Sequence, residues 1–257
     1  NADNRIADSD NYAQWLIDHA PYAKAIHEYA TFEAEEDSLI LEHCLHAPYL
    51  AAFSFIPSYA QWYMTQDAQK NIEFVKEGLQ YLQWQFHDGD SRPWVLKSPA
   101  YLGQESLLRD VFPDAFFVTT NRDPVSTMSS AASLCSSYQR AYSDVDRDAI
   151  LGMMVVQGFG MAMQQHLAGR DNDIRLHFLD VGYTELTQNA EHAVKRVYEH
   201  INMPLSNAAK RAMLDWEQDN RQHKHGVHKH SPDKYSLTPE MVRDTFQNYI
   251  ERFAKCF

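Results

Sequence analysis

Apolar positions recur at two different spacings along the chain, and the spacing changes part-way. In QDAQKNIEFVKEGLQYLQWQF (66–86), Ile72, Val75, Leu79, Leu82 and Phe86 fall three or four residues apart and predict one helix face. EEDSLILEHCL (35–45) has the same helical spacing, so residues 1–90 read as mostly helical. Gly and Pro in HDGDSRP (87–93) mark a break. Beyond it, short apolar runs alternate with helical segments. PWVLK (93–97), AFFVTT (115–120) and DIRLHFLDV (173–181) read as buried strands. YLGQESLLRDVFP reads as a helix stopped by Pro113, and PVSTMSSAASLCSSYQRAY as one opened by Pro124. DAILGMMVVQGFGMAMQQHLAG predicts a Met-rich helix ending near Gly169. ELTQNAEHAVKRVYEHINM, SNAAKRAMLDWEQ and SLTPEMVRDTFQNYIERF predict further helices, the last capped by Ser236 or Thr238. Strands alternating with helices predict an α/β fold with a parallel sheet flanked by helices.

Composition narrows the function classes. The 257 residues are enough for one domain with a sizeable core, and we read 1–257 as one unit: a helical region (1–90) and an α/β core with a C-terminal lid and helix (91–257). A formal charge of -12 disfavours nucleic acid as a partner. No apolar run reaches the ~20 residues of a membrane span. Cys44, Cys135 and Cys256 are odd in number and far apart, which suits free thiols in a reducing, cytoplasmic compartment. Oligomeric state is not legible. The chain starts at Asn1 rather than Met, in a stretch without the apolar core of a signal peptide, so a trimmed chain is the expectation.

The chemistry gathers at two strand ends. Ligands of parallel α/β sheets bind beyond the carboxyl ends of the strands. PWVLK delivers Lys97, followed by Ser98 and Pro99, and AFFVTT delivers Asn121 and Arg122. Each turn leads into a helix, whose N-terminal amides would add to the cation there. Two cations at two helix starts suit a multiply charged anion, with Arg122 as a bidentate phosphate ligand and Ser129 or Ser130 as hydroxyl donors. The competing reading is of ordinary surface charges flanking strands.

WVLKSPAYLGQESLLRDVFPDAFFVTTNRDPVSTMSS resembles the core of the 3′-phosphoadenosine-5′-phosphosulfate (PAPS)-dependent sulfotransferases, in their bacterial-type branch, with Lys-Ser-Pro and then Arg-Asp-Pro with a serine eight residues after the arginine. LHFLDVGYTELTQNAEHAVKRVYEHINMPLS, the helical stretch before the lysine and HKHSPDKYSLTPEMV are similar to further parts of that family. The resemblance implies a P-loop-NTPase-like parallel sheet with a large helical acceptor region, and PAPS as co-substrate. It implies Arg122 and Ser130 on the 3′-phosphate, Tyr183 bordering the adenine, Lys97 stabilising charge on the bridging oxygen and Lys229 in a basic lid. The implied partner is a small-molecule, carbohydrate or lipid acceptor with a hydroxyl or amine, and the scheme requires no metal.

The sequence departs from the family in two places. The glycine-rich 5′-phosphosulfate loop is not among these residues, so the first strand and its loop are expected to be missing from the chain. Tyr101 stands where many relatives have histidine, and a phenol of pKa about 10 is a poor base at neutral pH. Glu36 and His27 are the candidate bases; the alternatives are an acidic first helical turn for Glu35 and Glu36 and a structural role for His27. His223, His225, His228 and His230, with Lys224 and Lys229, form a zinc-like spacing without cysteine or carboxylate, a basic lid, or a solvated loop. Met153, Met154, Met161 and Met163 read as core packing or an acceptor wall, and the aromatic N-terminal half as a cleft lining or helical core. A non-catalytic nucleotide-binding or interaction protein is the rival function. A nucleotide kinase would need a Gly-Lys-Ser/Thr loop, which is not present.

Overall fold

The computed structural model describes residues 3–20, 23–27, 29–86, 92–221, 224 and 226–257. Asn1, most of the Gly-containing break at 87–93, and His223 and His225 of the histidine cluster lie outside them. The N-terminal part is helical: α1 (Arg5–His19), α2 (Ala23–Ile26), a 3₁₀ helix (Asp37–Cys44), α3 (Pro48–Phe53), α4 (Pro57–Tyr63) and α5 (Ala68–Phe86). A second 3₁₀ turn (Pro99–Tyr101) and α6 (Glu105–Val111) lead to β1 (Phe117–Asn121), α7 (Pro124–Tyr142), α8 (Asp148–Asn172) and β2 (Phe178–Gly182). Then follow α9 (Tyr183–Gln188), α10 (Ala190–His200), α11 (Asn207–Asp219), a 3₁₀ turn (Pro232–Tyr235), α12 (Pro239–Thr245) and α13 (Gln247–Phe253). No described helix is long and apolar enough to cross a membrane.

The sheet is an α/β element of two strands among the described residues, β1 and β2, parallel and in register from Phe117↔Phe178 to Asn121↔Gly182. The strand expected at 93–97 does not form. A strand exists through ladder hydrogen bonds to a neighbour, but here the Lys97 amide N–H donates to Asp37 Oδ1 at 3.0 Å. Leu96 joins the core beside Val75 and Leu79, while Val95 is 92% exposed.

Other boundaries moved for local reasons. The 35–45 segment is 3₁₀ rather than α; its three-residue repeat stacks Ser38, Leu41 and Cys44 on one face, with Leu41 buried against Val75 and Leu79 of α5 and Ser38 buried beside Tyr49 and Ser98. The helix expected from Tyr101 starts only at Glu105, because Gly103 takes φ 83°, where a Cβ would meet the Ala162 carbonyl at 2.7 Å. Asn189 splits the helix expected over 185–203 by accepting from the His192 N–H as a new N-cap. Thr238 caps α12, accepting from the Met241 N–H at 3.1 Å. On α5, Ile72, Val75 and Leu79 are buried but Phe86 is exposed, since α6 and the 3₁₀ helix cover only the first turns.

The main core joins Met128 and Ala132 of α7 and Val155 and Val156 of α8 to Tyr235, Leu237, Val242, Phe246, Tyr249 and Phe253 of the C-terminal segment. Gly152 permits this docking: a Cβ there would lie 2.1 Å from the Tyr235 carbonyl oxygen. The methionine stripe is not the core face of α8. Met153, Met154 and Met161 are exposed, and only Met163 packs against the core.

A buried polar chain ties the sheet to α8. Arg170 Nη1 and Nη2 donate to Asp180 at 3.0 and 2.5 Å, and Nη2 also to Thr119 Oγ1 at 2.9 Å, bridging β2 and β1. Arg170 Nε donates to His166 Nε2 at 2.9 Å, so His166 turns Nδ1–H toward Glu105 Oε1 at 2.5 Å. Burial works against ionisation of Asp180, but the hydrogen bonds from Arg170, Thr119 and Asn121 and the Arg170 charge together outweigh it and hold the carboxyl below its ordinary value. Arg170→Met is expected to cost about 3 kcal/mol in urea unfolding, because it removes a buried guanidinium that also donates to Thr119 and His166 and leaves a partly buried carboxylate without its cation. A depressed folded-state pKa contributes stability above the unfolded value and loses it as pH falls through the folded one. The gap between variant and wild type therefore closes below pH about 4.

Candidate functional site

The first cluster lies where β1 and β2 end. The register sets Asn121 beside Gly182, so the next residues, Arg122 and Tyr183, leave the sheet side by side. The Arg122 guanidinium lies over the Tyr183 ring, 4.1 Å from its centre, and Nη2 donates to Ser126 Oγ at 3.3 Å. Tyr249 of α13 holds the backbone of this turn: its hydroxyl accepts from the Arg122 N–H at 3.1 Å and donates to the Arg122 carbonyl at 3.2 Å. Burial pushes that phenol up to about 12, which keeps it a donor. Asp123 caps α7, accepting from the Val125 and Ser126 N–H groups, with Pro124 in the first turn. Ser130 is half-buried one turn beyond Ser126 on α7, the same helix face. Among the described residues Arg122 has no carboxylate partner. A guanidinium, two hydroxyls and a helix N-terminus together suit a phosphate.

The adjoining face of α7 carries the C-terminal segment. His230 Nδ1 is hydrogen-bonded to Ser129 Oγ at 2.8 Å, and His228 Nε2 to Ser133 Oγ at 2.9 Å; the two rings are 5.0 Å apart. In extended chain alternate residues share a side, so Lys229 between them faces solvent. Burial, and then the Arg122 charge, lower the His230 pKa; burial, and then His230, lower that of His228.

The second cluster surrounds Lys97. Its ammonium is ion-paired with Glu36 Oε1, while Glu36 Oε2 accepts from the Tyr49 hydroxyl. Ser38 and Ser98 join them: Ser38 Oγ is 3.0 Å from the Tyr49 hydroxyl and 2.9 Å from Ser98 Oγ. Asp37 accepts from the Lys97 N–H and from the Tyr101 hydroxyl. Burial and that bond push the Tyr101 phenol upward, so Tyr101 is a fixed donor and not a base. His27 stands one step away, its Nε2 3.2 Å from Glu35 Oε2. The Glu35 bond raises the His27 pKa against the effect of burial; burial opposes Glu35 ionisation, but the His27 bond and charge, the Glu36 N–H and the Lys97 charge together lower the Glu35 value. His27 also lines a cavity of ≈ 70 Å³ with Leu16, Ile17, Lys24, Tyr29 and Tyr138. Tyr138 of α7 stacks on Phe53, and Phe53 on Tyr49, so one aromatic row links this cavity to Glu36. Lys97 is 71% exposed and Glu36 only 14%, leaving the cation open to a ligand above a held carboxylate.

Lys97 and Glu36 thus meet, as do Arg122 and Tyr183, while His27 pairs with Glu35. Tyr49, Asp37, Ser38, Ser126 and Tyr249 escaped the sequence reading, while Ser129, read there as a hydroxyl donor to the anion, holds His230. Only Ser126, four residues from Arg122, carried a local signal.

The Sulfotransferase family model matches residues 3–207. The sulfotransferase STF9 of Mycobacterium avium superposes with a TM-score of 0.81 at 23% identity, over 98% of this chain and 64% of its own. The sulfotransferase STF1 of Mycobacterium tuberculosis gives 0.77 at 26% identity, over 95% and 62%. The chain therefore spans less than two thirds of either mycobacterial protein. No curated protein matches it. With a family match across most of its length and the mycobacterial fold, the chain belongs to the sulfotransferase family.

Proposed function

We propose that the chain is the nucleotide-gripping and acceptor-binding part of a cytoplasmic sulfotransferase that moves a sulfuryl group from PAPS to a hydroxyl or amine of a small-molecule, carbohydrate or lipid acceptor. The observation that carries this reading is Arg122, without a carboxylate partner among the described residues, stacked on Tyr183 at the β-strand ends with Ser126 within reach. In this reading Arg122, Ser126 and Ser130 hold the 3′-phosphate, Tyr183 borders the adenine and Lys229 belongs to the lid. Residues 1–257 work as one unit, with the 5′-phosphosulfate loop outside them.

Sulfuryl transfer, like phosphoryl transfer, gains most from positioning and charge stabilisation. The Lys97 and Glu36 pair suits that demand. The carboxylate takes the acceptor proton while the ammonium stabilises charge on the bridging oxygen of the donor. Glu36 is preferred to His27 as base because it touches Lys97 directly, whereas His27 is engaged by Glu35. The test is incubation of the full protein with radiolabelled PAPS and candidate hydroxyl and amine acceptors, alongside calorimetry with 3′-phosphoadenosine-5′-phosphate (pAp). The reading expects pAp binding and labelled product, and it fails if pAp does not bind.

A further inference from the structure

We propose that the segment 226–231 couples anion binding at Arg122 to proton uptake: His230 becomes a second cationic ligand of the phosphate, with His228 holding the strap in place. This rests on the reading that Arg122 grips a phosphate. The geometry comes first. His230 is tethered through Nδ1 to Ser129, a fully buried serine on α7, and His228 through Nε2 to Ser133 one turn further on. Two tethers on one helix fix the strap against the turn that carries Arg122. His230 Nε2 is not engaged by any described residue, so it is the ring atom available to an anion.

The electrical surroundings come second. From its own segment His230 faces His228, while Lys229 points to solvent. The β1–α7 turn contributes Arg122, α7 contributes the neutral Ser129 and Ser133, and Tyr183 of α9 and Tyr249 of α13 close around Arg122. The nearest carboxylate along α7, Asp123, uses one oxygen on the Val125 N–H and the other on the Ser126 N–H. With cations and neutral groups around it and burial against it, the ring is held neutral in the free protein.

A phosphate dianion reverses that balance. It offsets the Arg122 charge and places negative charge beside the ring, which favours the imidazolium. With the Nδ1 hydrogen kept on Ser129 Oγ, one proton moves from solvent to His230 Nε2, and the imidazolium donates it as a charge-assisted hydrogen bond to a phosphate oxygen. By linkage, affinity then rises as pH falls between the bound-state and free-state pKa values, by up to about tenfold per pH unit for one proton. PAPS and pAp share the 3′-phosphate, so the gain is uniform binding: KM for PAPS falls with falling pH while kcat is little changed.

The experiment is calorimetry of the full protein with pAp between pH 6.5 and 8.5, in buffers of different ionisation enthalpy. Wild type is expected to take up close to one proton per pAp near neutral pH and to bind about tenfold more tightly at pH 6.5 than at 8.5. His230→Gln keeps a donor for Ser129 but cannot titrate; uptake should fall toward zero and the affinity become nearly flat with pH. Ser129→Ala keeps the imidazole but releases its tether, and should reduce uptake with the melting temperature as a folding control. AMP, which lacks the 3′-phosphate, should show no uptake. Equal uptake in wild type and His230→Gln, or pAp binding by wild type without uptake, overturns the coupling and leaves the Arg122 reading intact. Absence of pAp binding at every pH overturns both.

Discussion

Arg122→Ala is expected to weaken pAp binding by about 100-fold and leave the melting temperature unchanged. A hydrogen bond to a charged group contributes roughly 1.5–3 kcal/mol, and each 1.4 kcal/mol is a factor of ten in affinity. A guanidinium on a phosphate makes more than one such bond and adds the stacking surface that Tyr183 already supplies. The folded state loses little, because the backbone of the turn is held by the Tyr249 hydroxyl and not by the side chain. Arg122→Lys separates charge from geometry: it keeps the cation but loses the fork, and should recover about tenfold of the loss. Calorimetry with pAp reads both variants. Affinity within twofold of wild type for Arg122→Ala means that the phosphate is held elsewhere, and the proposed nucleotide site is then wrong.

The residues of this site were legible where their geometry is local. The apolar run, Arg-Asp-Pro and the serines behind it become strand, turn and capped helix because Asp123 and Pro124 act on residues within one turn of themselves. The same holds for α5 and α8, whose helical character depends on spacing alone. The lysine strand failed for a non-local reason. Apolar runs say that a segment is buried or paired, but pairing needs a partner, and Asp37, 60 residues away, takes the Lys97 amide instead. Tyr49 carries no signal at all in the sequence; it matters because folding brings it to Glu36 and to Ser98, 13 and 49 residues distant. The histidines beside Lys229 show another gap. Charge drew attention to the lysine, but the alternation of extended chain turns its neighbours His228 and His230 inward. The Arg170 chain was equally invisible, since Glu105, His166 and Asp180 meet only across the sheet and two helices.

Glu36→Gln is expected to lower kcat by 10²–10³-fold while pAp affinity stays within about twofold of wild type. General base catalysis contributes about 10²–10⁴-fold, and the amide keeps the shape of the carboxylate but cannot accept the acceptor's proton. The nucleotide grip is built from other residues, so a kcat effect without a change in pAp affinity separates chemistry from binding. Stability should move little: glutamine keeps an acceptor for the Tyr49 hydroxyl, and the lost ion partner, Lys97, is 71% exposed and returns to water. Lys97→Met should lower kcat by a similar factor through the other half of the pair, and the double variant should lose less than the product of the two, because the residues act as a unit. The pH profile discriminates the candidate bases. Glu35 holds the His27 pKa above its ordinary value, so a His27 base would be lost as pH falls through that raised value, giving an acid limb above pH about 6.5. Full activity in His27→Gln, with no acid limb of that kind in the wild type, keeps the assignment on the carboxylate beside Lys97. Wild-type kcat in Glu36→Gln removes it.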